Sequence, residues 1–510
     1  LGFIHIILPI LLPIDYSNTA FSEYVFLNEL HYSTVLGAAE RLAQGGLLFD
    51  NVTINYGLFF PVVISIYGDF NVSDYHRLQQ YSNALFIILC LLSYARAAKW
   101  KIHVIFALGL FILPWVNNLP DWIAAPNQTG MRYIGISLAL FYLAYSDKCG
   151  PNIRSILGGT LSALCLLLNP ETGIIVSVAL SAFIFFTNDL RNLNNCLLKY
   201  VLFLFSAMAA TTGFWFISDQ MLANPPELDN LFLITKHMAL FMSGFGGVNL
   251  EILSLSFIFL THAGYCVILL VAKWNFRKLE NTQAIRLVVS LMIVGWLAYY
   301  FNRPDPRNLW IIFVLYGFLV IPLLHRRHIS LSCRKFKKTS VPIPILIIIL
   351  FVVPQAVSAN LSSFTRTYDY IYHLTSTSPN TRSNYSGVLL EKEISEVLYR
   401  KADYLNKLPT NKSFEYMTAF SFSMPIESGR SSFGLPQDTF NEILTKNDLE
   451  ILLKKLQKNG PDLLLFDNYD VFKFENLSQW ESYYARIRRQ IGPFYQLEGK
   501  SDGWFIYTRR

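Results

Sequence analysis

The chain has 510 residues, 53% of them hydrophobic and only 15% charged, with a formal net charge of +7. A soluble chain carries about 25% charged residues, and a mean hydropathy of +0.35 is too high for one water-soluble core. The basic residues lie in short stretches between apolar runs and form no long face interleaved with aromatics, which argues against nucleic acid as a partner. Six cysteines (Cys90, Cys149, Cys165, Cys196, Cys266 and Cys333) include no CxxC pair, so no zinc or redox motif is indicated.

A bilayer-crossing helix needs roughly 20 apolar residues. Such stretches fall near 1–14, 81–98, 102–118, 131–146, 153–168, 173–187, 199–218, 251–272, 286–301, 308–325 and 342–358. The expected fold class is therefore a polytopic α-helical membrane protein of about eleven transmembrane helices, with a C-terminal extracytoplasmic α/β domain. Two domains follow: 1–358 in the membrane, including a first outer loop over 15–80, and 359–510 outside it. The first stretch is short, and a cleaved signal peptide is the alternative reading of it. Orientation comes from Lys and Arg, which favour the cytoplasmic side. Arg326, Arg327, Arg334, Lys335, Lys337 and Lys338, then Arg96, Lys99 and Lys101, then Lys273, Arg277 and Lys278, all fall on one side of this arrangement. That side is read as cytoplasm. The expected location is the cell membrane, multi-pass. Seven N-x-S/T triplets, at Asn51, Asn71, Asn127, Asn360, Asn384, Asn411 and Asn476, fall on the other side.

In the first outer loop, residues 29–44 have helical periodicity. Tyr32, Val35, Leu36, Ala39 and Leu42 share a face, Glu29, Glu40 and Arg41 fall off it, and Gly45 and Gly46 end it. Such a helix either lies along the membrane surface or packs on neighbouring spans. Asp15 directly follows the first stretch, and Glu29 and His31 stand at the start of the helix. A carboxylate at low dielectric can serve as proton acceptor for a hydroxyl; the bland alternative makes Asp15 a cap and Glu29 a solvated charge. The hairpin LLLNPETGII at 166–175 puts Glu171 at membrane depth, which is unfavourable unless it faces a cavity or a partner. Arg132 is the expected partner, and a plain turn made by Asn169, Pro170 and Gly173 is the alternative. Lys236 and His237 lie in the outer loop 219–250, which also carries Gly244 to Gly247. The short turn YYFNRPDPRNLW at 299–310 carries Arg303, Asp305 and Arg307. Arginine suits phosphate recognition, and the competing reading is headgroup anchoring with an Arg–Asp pair.

In the C-terminal domain, SEVLYRKADYLNKL and LTKNDLEILLKKLQK read as amphipathic helices. PDLLLFDN reads as a buried strand ending in a turn, and GWFIYTRR as a terminal strand. Helices alternating with strands indicate a small α/β layer. The domain has no GxGxxG, P-loop or GxSxG, so no chemistry is assigned to it.

The first-loop stretch HYSTVLGAAERLAQGGLLFDNVTINYGLFFP, with its turn Asp50, Tyr56, Gly57 and Pro61, resembles the recurring first-loop pattern of the GT-C superfold of membrane glycosyltransferases. NPETG resembles the hairpin after their fifth span, and WFIYTRR their closing strand. The resemblance covers most of the chain through loose motifs. It implies a polyprenyl-phosphate sugar donor, a glycan, lipid or protein acceptor, and attack by an acceptor hydroxyl at the anomeric carbon on the outer face. Carried over, it makes Asp15 or Glu29 the base, with His31 beside it. Arg303 and Arg307 become phosphate contacts, and Asp50, Tyr56, Arg132, Glu171, Lys236, His237 and Asp305 substrate contacts. The first loop has no adjacent Asp-Glu or Asp-x-Asp pair; Glu29-Leu30-His31 stands in its place, which leaves a divalent metal undecided and no cofactor assigned. A transporter or flippase of lipid-linked glycans would show internal repeats, and none is found. A non-catalytic envelope scaffold would leave Glu171 unexplained.

Overall fold

A computed structural model of the chain describes residues 33–46, 57–68, 71–99, 130–189, 191–222, 255–272, 274, 278–302, 310–325, 372, 382–385, 388–418, 423–430, 446–468 and 478–510. Among these the architecture is mostly helical, with a small sheet near the C-terminus. The helices of the N-terminal part are α1 (Ala38–Ala43), α2 (Phe59–Tyr67), α3 (Val72–Ala97), α4 (Gly130–Tyr145), α5 (Pro151–Leu168), α6 (Pro170–Phe186), α7 (Leu193–Met221), α8 (Leu255–Ala272), α9 (Asn281–Asn302) and α10 (Trp310–His325).

Three of these, α3, α5 and α7, are long and apolar enough to cross a bilayer, and Pro170–Phe186 and Phe259–Ala272 are shorter apolar helices. Eight of the eleven apolar stretches contain a described helix. The stretches 1–14, 102–118 and 342–358 lie outside the described residues, as does the proposed domain boundary near 358. On α7, Leu197, Val201, Leu204, Phe205 and Met208 are exposed. So long an exposed apolar face on a helix of membrane-crossing length belongs against lipid.

Helix α3 starts earlier than the apolar stretch 81–98: it begins at Val72, under a capping box in which Asn71 accepts from the Asp74 backbone and Asp74 accepts from the Asn71 backbone. Its first turns read VSDYHRLQQYSN, too polar to register as a span. Capping and burial, not hydropathy, make them helical.

The bundle has two distinct ends. At one end Arg96 pairs with Asp147 at 2.9 Å, Arg191 pairs with Asp189 at 2.8 Å, and Lys199 donates to Asn188 at 2.9 Å. At the other end stands the C-terminal α/β part. It comprises the hairpin β1 (Arg382–Tyr385) and β2 (Val388–Glu391), α11 (Lys392–Lys407), β3 (Phe414–Met417), α12 (Ser423–Ser428), α13 (Lys446–Asn459), β4 (Leu463–Asp467), α14 (Ser478–Ile491), β5 (Tyr495–Ser501) and β6 (Trp504–Arg509). The four-stranded sheet has the order β3-β4-β6-β5. β3 and β4 are parallel and the other pairs antiparallel. The expected helices and strands at 395–408, 444–458, 461–468 and 503–510 correspond to α11, α13, β4 and β6.

One buried cluster joins Val35, Leu36 and Ala39 of the first-loop helical segment to Val72 and Tyr75 of α3, to Met131 of α4, and to the core of the C-terminal α/β part through Leu398, Leu464 and Trp504. On its other side the same segment packs Ala38 and Leu42 against Val62 of α2 and Leu222. Of the two readings of this helix, the structure selects packing within the protein. Arg41, expected off the apolar face, is only 5% exposed. Burial pushes the Tyr416 phenol up, and the Arg41 charge works against that rise.

Candidate active site

Asn169 caps α6. Its side-chain Oδ1 accepts from Thr172 N at 2.9 Å, and Pro170 takes the first helical position, where no backbone N–H is needed. This turn lifts Glu171 into the interior, 4% exposed. The pairing expected from the sequence is present: Arg132 Nη2 donates to Glu171 Oε2, with both side chains almost wholly buried. Thr172 Oγ1 donates to the Arg132 carbonyl at 3.1 Å, so the hairpin and the start of α4 are tied twice. The Arg132 guanidinium also stands over the rings of Tyr133 and Trp296, at 5.5 and 5.9 Å from their centroids. Glu171 Oε1 has no hydrogen-bond partner among the described residues. A carboxylate pinned through one oxygen with the other uncommitted can accept a hydrogen bond from a ligand hydroxyl.

Gly57, of the first-loop turn, meets this hairpin directly. Its φ is +109°, and a Cβ there would lie 2.3 Å from the Leu168 carbonyl oxygen. The close approach explains why the YG element precedes re-entry into the helical layer: only glycine combines that dihedral with backbone contact at the foot of the Glu171 turn. Gly57→Ala should lower stability by about 2 kcal/mol and displace the hairpin. Thermal melting of the detergent-solubilised variant checks this, and a melt equal to wild type would remove the joint.

A second set of polar groups lies on α3 and was not legible as a site. His76, Gln79, Gln80 and Asn83 recur at helical spacing on one face, and all are buried. Asn83 Oδ1 accepts from Gly130 N. Gly130 is crowded against α3, since a Cβ on it would lie 2.4 Å from the Ser82 carbonyl oxygen. The α3 face is thus locked to the residues just before Arg132. The signal in the sequence was the Asn71–Asp74 capping pair followed by the 76/79/80/83 spacing.

Asp15, Glu29, His31, Asp50, Tyr56, Lys236, His237, Arg303, Asp305 and Arg307 lie outside the described residues, and of the sequence-derived candidates Arg132 and Glu171 lie within them. Among the described residues no group of three or more metal-ligating side chains comes together.

No protein-family model matches the chain, and no curated protein matches it. Among solved structures, it is similar to ArnT from Cupriavidus metallidurans bound to undecaprenyl phosphate, at 14% sequence identity and a TM-score of 0.49, over 99% of this chain and 96% of that chain.

Proposed function

We propose that the chain is a membrane glycosyltransferase. It moves a sugar from a polyprenyl-phosphate donor to an envelope glycan, lipid or protein acceptor on the extracytoplasmic face. The observation that most supports this reading is the buried Arg132–Glu171 pair, set at the end of the bundle that meets the soluble domain. Ionisable groups buried among apolar spans pair with one another and commonly mark a polar ligand or path. It also sits where two separate sequence resemblances converge, since the Gly57 turn packs on the NPETG hairpin. The basic residues of the opposite end support placing that end in the cytoplasm and the soluble domain outside.

The chemistry follows from the groups available. The acceptor oxygen forms a bond to the anomeric carbon as the bond from that carbon to the phosphate oxygen breaks. The acceptor proton passes to a first-loop carboxylate, Asp15 or Glu29, with His31 beside it. The departing lipid phosphate carries the electron pair, and Arg303 and Arg307 stabilise it electrostatically. Glu171 Oε1 accepts from a sugar hydroxyl. Asp50, Tyr56, Asp305, Lys236 and His237 are assigned to the substrate surroundings.

The test is release of polyprenyl phosphate from polyprenyl-phosphate-hexose by purified protein supplied with total membrane glycolipid as acceptor. Wild-type protein should release it. Asp15→Ala or Glu29→Ala should cut the rate at least about a hundredfold, the lower end of general-base contributions, with melting unchanged. Full activity in both variants sinks the carboxylate-base mechanism.

A further inference from the structure

The polar face of α3 has no role in the chemistry above. Over its first three turns the buried residues of this helix are Val72, Tyr75, His76, Gln79, Gln80, Ser82 and Asn83; below them the buried stripe becomes Phe86, Ile87, Cys90 and Tyr94. Between Tyr75 and Phe86 every buried residue is polar, which packing alone does not require.

These groups are not satisfied by one another. Gln79 is 0% exposed, and neither atom of its carboxamide has a hydrogen-bond partner among the described residues. Gln80 Nε2 lies 3.4 Å from His76 Nε2. Donation from the amide places the ring proton on Nδ1, and His76 Nδ1 has no partner among the described residues. Asn83 Nδ2 is in the same position while its Oδ1 holds Gly130. Buried polar atoms in native proteins are almost always paired, so this face calls for a ligand of matching chemistry.

The available groups name that chemistry. Two amide N–H donors, one imidazole N–H and one amide oxygen form a neutral, mixed donor and acceptor set. Hydroxyl groups, which donate and accept, answer it; a phosphate calls for cations, and a polyprenyl tail offers no hydrogen bonds. From His76 to Asn83 the face runs about 10 Å along the helix, at a 1.5 Å rise per residue, enough to flank a sugar ring. Through Gly130 it adjoins the buried cation Arg132. Arg132 is itself paired with Glu171, whose uncommitted Oε1 is the group proposed above to accept from a sugar hydroxyl, so the wall and the pair suit the same polyhydroxyl ligand.

We infer that His76, Gln79 and Asn83 form the wall that receives the neutral sugar ring of the donor beside Arg132. This assignment rests on the reading of the site as one for glycosyl transfer. The experiment compares the full chain and its Gln79→Leu variant by thermal melting in detergent. Three conditions are used: no ligand, bare polyprenyl phosphate, and polyprenyl phosphate carrying glucose, mannose or galactose. Gln79→Leu removes both amide atoms at similar volume, so the free variant should melt about 2 °C or more above wild type. Bare polyprenyl phosphate should stabilise both proteins equally. One sugar headgroup should add stabilisation to wild type that the variant lacks, equivalent to at least tenfold weaker binding.

A free variant that melts below wild type, or fails to fold, shows that the protein itself pairs Gln79, and overturns the assignment. So does a sugar increment that survives in Gln79→Leu, or one absent from wild type with all three hexoses. If bare polyprenyl phosphate stabilises neither protein, the lipid-donor reading fails instead.

Discussion

Lys401→Met should loosen the C-terminal α/β part severely, while Lys401→Met with Asp467→Leu should restore it. Lys401 lies in the middle of α11, fully buried, and its Nζ donates to Asp467 Oδ1 at the end of β4 and to Thr418 Oγ1 at 3.3 Å. The same ammonium stands 3.8 Å from the centroid of the Trp504 ring, and the indole Nε1 donates back to the Lys401 carbonyl at 3.2 Å. Burial holds the Lys401 pKa below its ordinary value, against the opposing attraction of Asp467. Removing the lysine takes the ion-pair partner from a carboxylate that is itself 0% exposed. Breaking one side of such a pair costs about 3–5 kcal/mol, whereas replacing both members with apolar residues is often neutral. Hydrogen exchange of α11 and β4 amides in the full-length protein reads this locally. The single variant should exchange about a hundredfold to several thousandfold faster, and the double variant close to wild type. Unchanged exchange in Lys401→Met would mean that the pair contributes nothing to holding α11 on the sheet.

That pair also shows how far the sequence carries the fold. The periodicity of SEVLYRKADYLNKL fixes a helix, but it makes Lys401 look like one more solvated charge. Its burial depends on Asp467, which is 66 residues away, and no local pattern encodes that distance. The strands were legible where they carried an apolar run, as in the LLLF of Leu463–Asp467. β5 was missed because YQLEGKS exposes most of its length. Its pairing to β6 was nonetheless written in Asp502-Gly503, both at positive φ, the two-residue turn that favours a hairpin.

The candidate site divides along the same line. Glu171 and Arg132 stood out because charges within apolar runs are conspicuous, and their pairing could be anticipated from depth alone. His76, Gln79 and Asn83 did not stand out, because uncharged polar residues next to an apolar run look like the end of a span. Hydropathy sees the mean polarity of a window. It cannot see that these residues share one helical face, nor that the face is buried.

For the Arg132–Glu171 pair, stability and transfer should separate. Arg132→Met leaves Glu171 charged and buried with its ion-pair partner gone, at a cost of about 3–5 kcal/mol; the detergent-solubilised protein should melt far below wild type or fail to accumulate. Arg132→Met with Glu171→Met removes both charges and should recover most of the melting temperature, because α4, α5 and α6 offer apolar packing nearby: Ile136, Cys165 and Val176 belong to one continuous core. If the pair were only a brace between the hairpin and α4, the double variant would also recover release of polyprenyl phosphate. The uncommitted Glu171 Oε1 argues otherwise. A brace gains from having both carboxylate oxygens engaged, whereas a group that hydrogen-bonds a passing substrate needs one left over. The double variant should therefore fold and remain inactive. Recovery of both properties together would reduce the pair to architecture and move the chemistry wholly onto the first loop.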